Sequence, residues 1–180
     1  MARPKGATYK QGMTLGPRAS LRTYCFMALL ALAGCGVVFS VETPTQVDFS
    51  ALELADTSNQ FLVCPTNFCQ RAEPHLVSPI FEASAYDLRL AWDSVVAAAP
   101  RTRREGVFAQ GKQVVDIQRS AFFQFPDIIT TQFIVLDDNR VTLAIYSRSV
   151  YGQVDFDLNE KRINSWIVAL TAELKERTSR

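Results

Sequence analysis

IITTQFIVLDDNRVTLAIYSRSVY, residues 128 to 151, decides the fold. Ile128 to Leu136 is rich in β-branched and aromatic residues and reads as a strand. Asp137-Asp138-Asn139 then supplies turn chemistry, because short polar side chains satisfy a tight backbone locally. Val141 to Tyr151 returns as a second strand. Upstream, Gly106 to Gln110 and Gln113 to Phe123 flank Gly111-Lys112, a second hairpin signal. Pro126 lacks a backbone donor, which predicts an edge or a bulge around it. The four segments predict a meander of about four antiparallel strands.

Helical patterns lie on either side of the meander. Ser84 is a good N-cap with Asp87 three residues on. Leu88, Ala91, Trp92, Val95, Val96 and Ala99 recur at three- and four-residue spacing, which gives one apolar face, and Pro100 ends the run. The charges at Arg101, Arg103, Arg104 and Glu105 read as a solvated turn. Asp157 with Glu160 reads as the cap of a last helix, whose inner face carries Leu158, Ile163, Trp166, Ile167, Leu170 and Leu174. Lys175 and Arg177 complement the negative end of its dipole. Trp92 and Trp166 fall on the apolar faces as core residues. The expected architecture is α+β: an antiparallel sheet of about four strands, with an N-terminal and a C-terminal helix packed on one face.

The N-terminal segment has different chemistry. Arg3, Lys5, Lys10, Arg18 and Arg22 precede a short apolar run, Tyr24 to Ala33, and no acidic residue occurs before Glu42. That order describes an export signal. The run is too short for a simple spanning helix, which needs about 20 apolar residues. Leu32-Ala33-Gly34-Cys35 looks like a bacterial lipobox, in which the cysteine is acylated and the chain is cut before it. An ordinary small-residue secretory site is the alternative. Gly36, rather than Asp, after the cysteine favours the outer membrane. Met13 competes with Met1 as the start. The chain thus divides into a lipoprotein signal at 1–34, a tether at 35–58, one domain at 59–176 and a tail at 177–180. Within the tether, the apolar residues Phe49, Leu52 and Leu54 either dock on the domain or form a short helix.

Cysteine usage follows from that compartment. Cys25 lies in the leader and Cys35 takes the lipid. Cys64 and Cys69 remain, in CPTNFC. An oxidising envelope favours their pairing, and Pro65 and Asn67 favour the turn that pairing needs. Half a zinc site would want more ligands, yet His75 is the single histidine. Free thiols are the third reading. No metal and no cofactor is expected. Five of the 19 Lys and Arg residues and none of the 18 Asp and Glu residues precede Cys35, so the chain from Cys35 onward has a net charge of −4. That balance speaks against a nucleic-acid binder, which usually carries a basic patch.

Three polar pieces stand out: QRS at 118–120 followed by FPD at 125–127, YSRSVYG at 146–152, and Asp155 with Asn159 and Arg162. These pieces, with the downstream Trp166, resemble the bacterial and plastid family catalogued as domain of unknown function 1499. CPTNFC before the first helix resembles its lipoprotein-like members. The resemblance spans roughly Asn59 to Leu174 and implies a single domain, with no activity or catalytic residue to carry over.

The residues themselves give a candidate cluster of Arg119, Asp127, Tyr146, Arg148, Asp155, Asn159 and Arg162. Alternation along a strand puts Tyr146 and Arg148 on one face, and Ser147 and Ser149 on the other. Arg119 and Arg148 are expected on adjacent strands near Asp127 and Asp155, with Arg148 buried in an ion pair. Three readings stand: an Arg–Asp network that fixes helix to sheet, a pocket for a small anion or lipid headgroup, and an acid/base site. No Ser–His–Asp set and no glycine-rich phosphate loop is present. The expected function is a membrane-anchored envelope lipoprotein at the periplasmic face of the outer membrane. It would be a non-enzymatic binding or structural module for a lipid, a small anion or a protein partner. The alternative is a hydrolase or isomerase using Asp127 or Asp155 beside an arginine.

Overall fold

The first strand, β1 (Gln60–Cys64), is buried along its whole length. In a computed structural model that describes residues 39–153 and 156–179, it lies inside a sheet of seven strands. Two short strands, β2 (Leu76–Val77) and β3 (Phe81–Glu82), precede helix α1 (Ala85–Ala98). Strands β4 (Thr102–Phe108), β5 (Gln113–Arg119), β6 (Pro126–Val135) and β7 (Arg140–Ser149) follow, and helix α2 (Leu158–Thr178) closes the domain. The leader and Cys35 lie outside the described residues.

The sheet runs β2-β1-β7-β6-β5-β4, with β3 also on β7. β1 and β2 are parallel, and the other pairs are antiparallel. This corrects the expectation of a four-stranded antiparallel sheet: the class is α+β, but the sheet is mixed and seven-stranded. The additional strands escape notice for two reasons. β1 is covered on both faces, so QFLVC shows no alternation and reads as an apolar approach to the cysteine turn. β2 and β3 are two residues each and exist through their pairing alone. Pro126 sits at the first residue of β6, an interior strand, where the missing donor is tolerated.

Ser84 caps α1 as its sequence implies, accepting from the Asp87 N–H at 3.1 Å. Asp157 differs: its backbone is left-handed (φ 63°) and its side chain does not cap α2. Both helices lay their apolar faces on one side of the sheet. Leu88, Trp92 and Val95 meet Ile163, Trp166 and Leu170 over Val63, Val114, Ile129, Leu143 and Ile145. Trp92 and Trp166 pack edge to face, 5.7 Å between centroids.

The opposite side is covered as well. Phe49 is buried there with Leu62, Ala144 and Tyr146, and Val47, Leu52 and Leu54 pack around it. Gln113 clamps this strap, accepting from the Val47 N–H and donating to the Val47 carbonyl, each at 2.8 Å. From Val38 onward the chain forms one compact unit.

Arg103, Arg104 and Glu105 lie on β4 rather than in a turn, and Arg101 alone of these charges stays in the turn after α1. Arg104 points from β4 into an ion network, 2.6 Å from the Asp116 carboxylate and 2.8 Å from that of Asp93. Arg89 holds Asp93 from its other side at 3.0 Å. A bulge between Arg104 and Gly106 re-aims the strand, and the Phe108 ring fills the place a side chain at 106 would take. Among the described residues, no helix is long and apolar enough to cross a membrane.

Candidate functional site

The first turns of α2 bring Asn159, Arg162, Ile163 and Trp166 to the side of the helix that faces the sheet, the spacing of one helical face. Arg162 makes four hydrogen bonds, three to the strands and one within its own helix. Its Nε donates to Gln118 Oε1 at 2.5 Å. Its Nη1 donates to Ser147 Oγ at 3.0 Å and to Asn159 Oδ1 at 2.6 Å. Its Nη2 forms an ion pair with Asp127. Both partners of that pair are nearly buried, with 9% and 12% of their side-chain surface exposed.

Asn159 extends the network. Its Nδ2 donates to the Asn59 carbonyl at 2.9 Å and to Ser149 Oγ at 3.2 Å, and its Oδ1 accepts from Ser147 Oγ at 2.6 Å. One polar residue from each of QRS, FPD and SRS thus meets the Arg162 guanidinium: Gln118, Asp127 and Ser147. Register explains the convergence. Gln118 stands opposite Asp127, and Asp127 opposite Ser149, so these side chains share the helix-facing side of the sheet.

The other sequence candidates divide around this centre. Arg148 is exposed on the far face of β7, so the buried pair expected for it belongs instead to Arg162. β6 intervenes between β5 and β7, which keeps Arg119 and Arg148 off neighbouring strands. Arg148 borders a separate depression with Ser40, Val41 and Glu42. Tyr146, on the same face, is buried and donates its hydroxyl to Gln60 Oε1 at 2.7 Å. Burial raises the Tyr146 pKa, against a smaller opposing pull from Arg148. Arg119 anchors the loop after β5, donating to the carbonyls of Gln124 at 2.9 Å and Phe39 at 3.1 Å. Asp155 lies outside the described residues.

A groove of about 600 Å³ opens beside the Arg162–Asp127 pair. One wall is α2, with Leu158, Lys161, Ser165 and Trp166; the other is the β5–β6 loop, with Phe122 and Phe123 at its tip. Four cationic side chains line it, Arg101, Arg119, Lys161 and Arg162, against one carboxylate, Asp127. Arg101 and Lys161 escaped the sequence reading. Arg101 looked like part of a solvated run, and Lys161 lies next to the motif arginine without belonging to the motif.

The loop is tied at its base. Ser120 N–H donates to the Phe125 carbonyl at 2.9 Å, and Ser120 Oγ accepts from the Phe125 N–H at 3.0 Å. Its aromatics join a cluster: Phe123 stacks on Phe125, which meets Phe39 edge-on and Tyr151 at a tilt. Phe122 is left 92% exposed.

In CPTNFC, Cys64 and Cys69 form a disulfide, with Cα atoms 6.2 Å apart. No group of three or more metal-ligating side chains occurs among the described residues.

No curated protein matches the chain at a significant level. Residues 41–170 match the family described as protein of unknown function, DUF1499, a span that takes in every strand, all of α1, the first thirteen residues of α2 and the whole Arg162 network. The chain therefore belongs to the DUF1499 family.

Proposed function

We propose that this DUF1499 protein is an exported lipoprotein, cut before Cys35 and acylated there. The anchor holds its domain in the bacterial cell envelope, at the periplasmic face of the outer membrane. The domain is a binding module rather than an enzyme, and its groove takes a small anion or the anionic head of a lipid.

The groove's charge carries the binding reading. Four cations face one carboxylate, and that carboxylate is already engaged by Arg162. An anion entering there meets an unbalanced positive surface, with guanidinium groups suited to two-pronged recognition of phosphate or carboxylate. An acid/base site needs a proton acceptor free to reach substrate. Among the residues lining the groove there is no histidine or cysteine, and Asp127 is held as a counter-ion. The anchor is supported by the order of basic flank, short apolar run and Leu-Ala-Gly-Cys. The disulfide fits an oxidising compartment.

Metabolic labelling with palmitate tests the anchor. Label should enter the wild-type chain and be absent from Cys35→Ala; an unlabelled wild-type chain with an intact amino terminus defeats it. Native mass spectrometry after mild detergent extraction tests the ligand. The expected spectrum shows a co-purifying anionic species that is lost in Lys161→Glu. A domain that is always empty, and that takes up neither phosphate nor phosphatidylglycerol, rules the binding role out.

A further inference from the structure

We infer that the tip of the β5–β6 loop, with Phe156 and Leu158 at the start of α2, is a membrane-docking surface that seats the groove's mouth on the headgroup layer of the leaflet holding the anchor. This rests on the lipoprotein reading above and goes further: it makes the groove's occupant a phospholipid headgroup of that leaflet rather than a free anion.

The first support is where apolar surface has been left uncovered. Phe122 is 92% exposed, Phe156 78%, Phe123 68% and Leu158 53%. Phe122, Phe123 and Leu158 line the same groove, and Phe156 stands two residues before Leu158. Scattered exposed apolar residues are ordinary, but three large ones lining one groove, with a fourth two residues along the chain, are a patch. The loop presenting Phe122 and Phe123 is braced by Ser120 and by the edge-on contacts of Phe39 with Phe125 and Tyr151, so these two rings are held outward.

Charge is the second support. Arg101, Arg119 and Lys161 line the same groove as this apolar tip, with Arg162 nearly buried in its pair with Asp127. Asp157 and Glu160 share the turn with Lys161, and Asp157 approaches its ammonium at 3.9 Å. The balance among the groove's own side chains still favours cations. Apolar side chains ringed by Lys and Arg suit an interface between acyl chains and anionic headgroups.

Reach is the third. Phe39 packs edge-on against Phe125, 4.6 Å between ring centroids, so the described chain begins at the base of this loop. Cys35 is four residues earlier, about 14 Å at full extension. The interfacial layer on each side of a bilayer is about 5–7 Å thick. An acyl chain at Cys35 therefore keeps the loop within a short distance of lipid. The far end of the sheet has no such constraint: β6 has ten residues and carries the chain about 33 Å away, to the acidic turn at Asp137 and Asp138.

The test uses the full chain extracted from membranes. Phe122→Cys, and separately Asp138→Cys, is labelled with a polarity-sensitive dye; the disulfide keeps Cys64 and Cys69 unreactive. The protein is placed in vesicles of phosphatidylcholine and phosphatidylglycerol containing a nitroxide lipid. The dye at 122 should shift blue and lose at least half its emission to the nitroxide, while the dye at 138 stays quenchable by aqueous iodide. Equal water exposure at the two positions overturns docking, and an acylated mass for the same sample shows that the anchor stands regardless. As a second arm, the unacylated domain from Val38 should bind phosphatidylglycerol vesicles about tenfold more weakly once Phe122→Ser and Phe123→Ser are introduced. Unchanged binding, or equal binding to pure phosphatidylcholine, also counts against the surface and its headgroup.

Discussion

Arg162 places four of its N–H groups on acceptors from β5, β6, β7 and its own helix. Nothing about a guanidinium requires so many protein partners; their effect is to fix α2 at one height on the sheet. Removing one member of a nearly buried ion pair leaves the other charge uncompensated, at a cost of about 3–5 kcal/mol. Arg162→Ala should lose about that much in urea unfolding. Arg148→Ala, on the exposed face, should stay within about 0.5 kcal/mol of wild type. Pairing Arg162→Ala with Asp127→Asn should return part of the loss, the sign of a true coupling. A second residue-scale prediction concerns Asp116, which is fully buried beside Arg104. Burial raises its pKa above the ordinary 3.8, outweighing the opposing pull of Arg104. The native state then binds a proton more readily than the unfolded chain does. Its stabilising contribution is complete below 3.8 and fades as pH rises through the raised native value. Asp116→Asn removes that dependence, so its stability relative to wild type should improve from acid toward neutral pH. Parallel curves of unfolding free energy against pH for the two proteins would contradict this.

At the scale of elements, the disulfide belongs to β1. Cys64 ends a wholly buried strand and Cys69 lies in the loop that follows, so the bond pins the exit of β1 before the chain returns as β2. Closing so short a loop restrains the unfolded chain by about 2 kcal/mol. Cys64→Ala with Cys69→Ala should lower stability by that order without unfolding the sheet, visible as a shifted denaturant midpoint with an unchanged slope. The elements legible in the sequence are those whose signal is local. α1 is announced by Ser84 and its apolar spacing, and β6 and β7 by the polar turn between them. α2 is legible from its inner face, although Leu158, expected there, is exposed and Asp157 takes a left-handed backbone instead of capping it. The elements that escaped depend on distant chain. β1 looks like a loop entrance until β7 lies beside it. β4 hides its inward Arg104 among charges that otherwise face water. The candidate site follows the same rule. Asp127, Asn159 and Arg162 do meet, because motif spacing and register both place them there. Arg119 and Arg148 do not join them, because strand order set β6 between their strands, and strand order is a tertiary property.

For the molecule as a whole, the decisive relation is between the sheet's second face and the stretch before β1. Read by composition, residues 35–58 resemble a tether: polar, with prolines and threonines and one small apolar patch. In the fold that patch closes a core. Phe49 is 1% exposed and packs on Leu62, Ala144 and Tyr146. A sheet with helices on one side has to bury its other apolar face, and here the cover is extended chain rather than a third helix. The consequence is measurable. Truncating a buried phenylalanine to alanine costs about 3–5 kcal/mol. Phe49→Ala, in the chain from Val38, should therefore unfold at clearly lower urea than wild type, while Gln46→Ala, at an exposed position of the same segment, should not. Starting the chain at Asn59 removes the whole cover and should cost at least as much as Phe49→Ala. It would also expose Leu62 and Tyr146 and promote self-association. Gln113 limits the damage: with Val47 gone its amide still donates to Gln132 Oε1 at 3.1 Å, and water can reach the rest. If the chain from Asn59 melts with the longer one and stays monomeric, residues 39–58 are only a leash. If it does not, residues 39–58 belong to the fold, and on the lipoprotein reading proposed above the free chain between an acylated Cys35 and the domain shrinks to the few residues before Phe39.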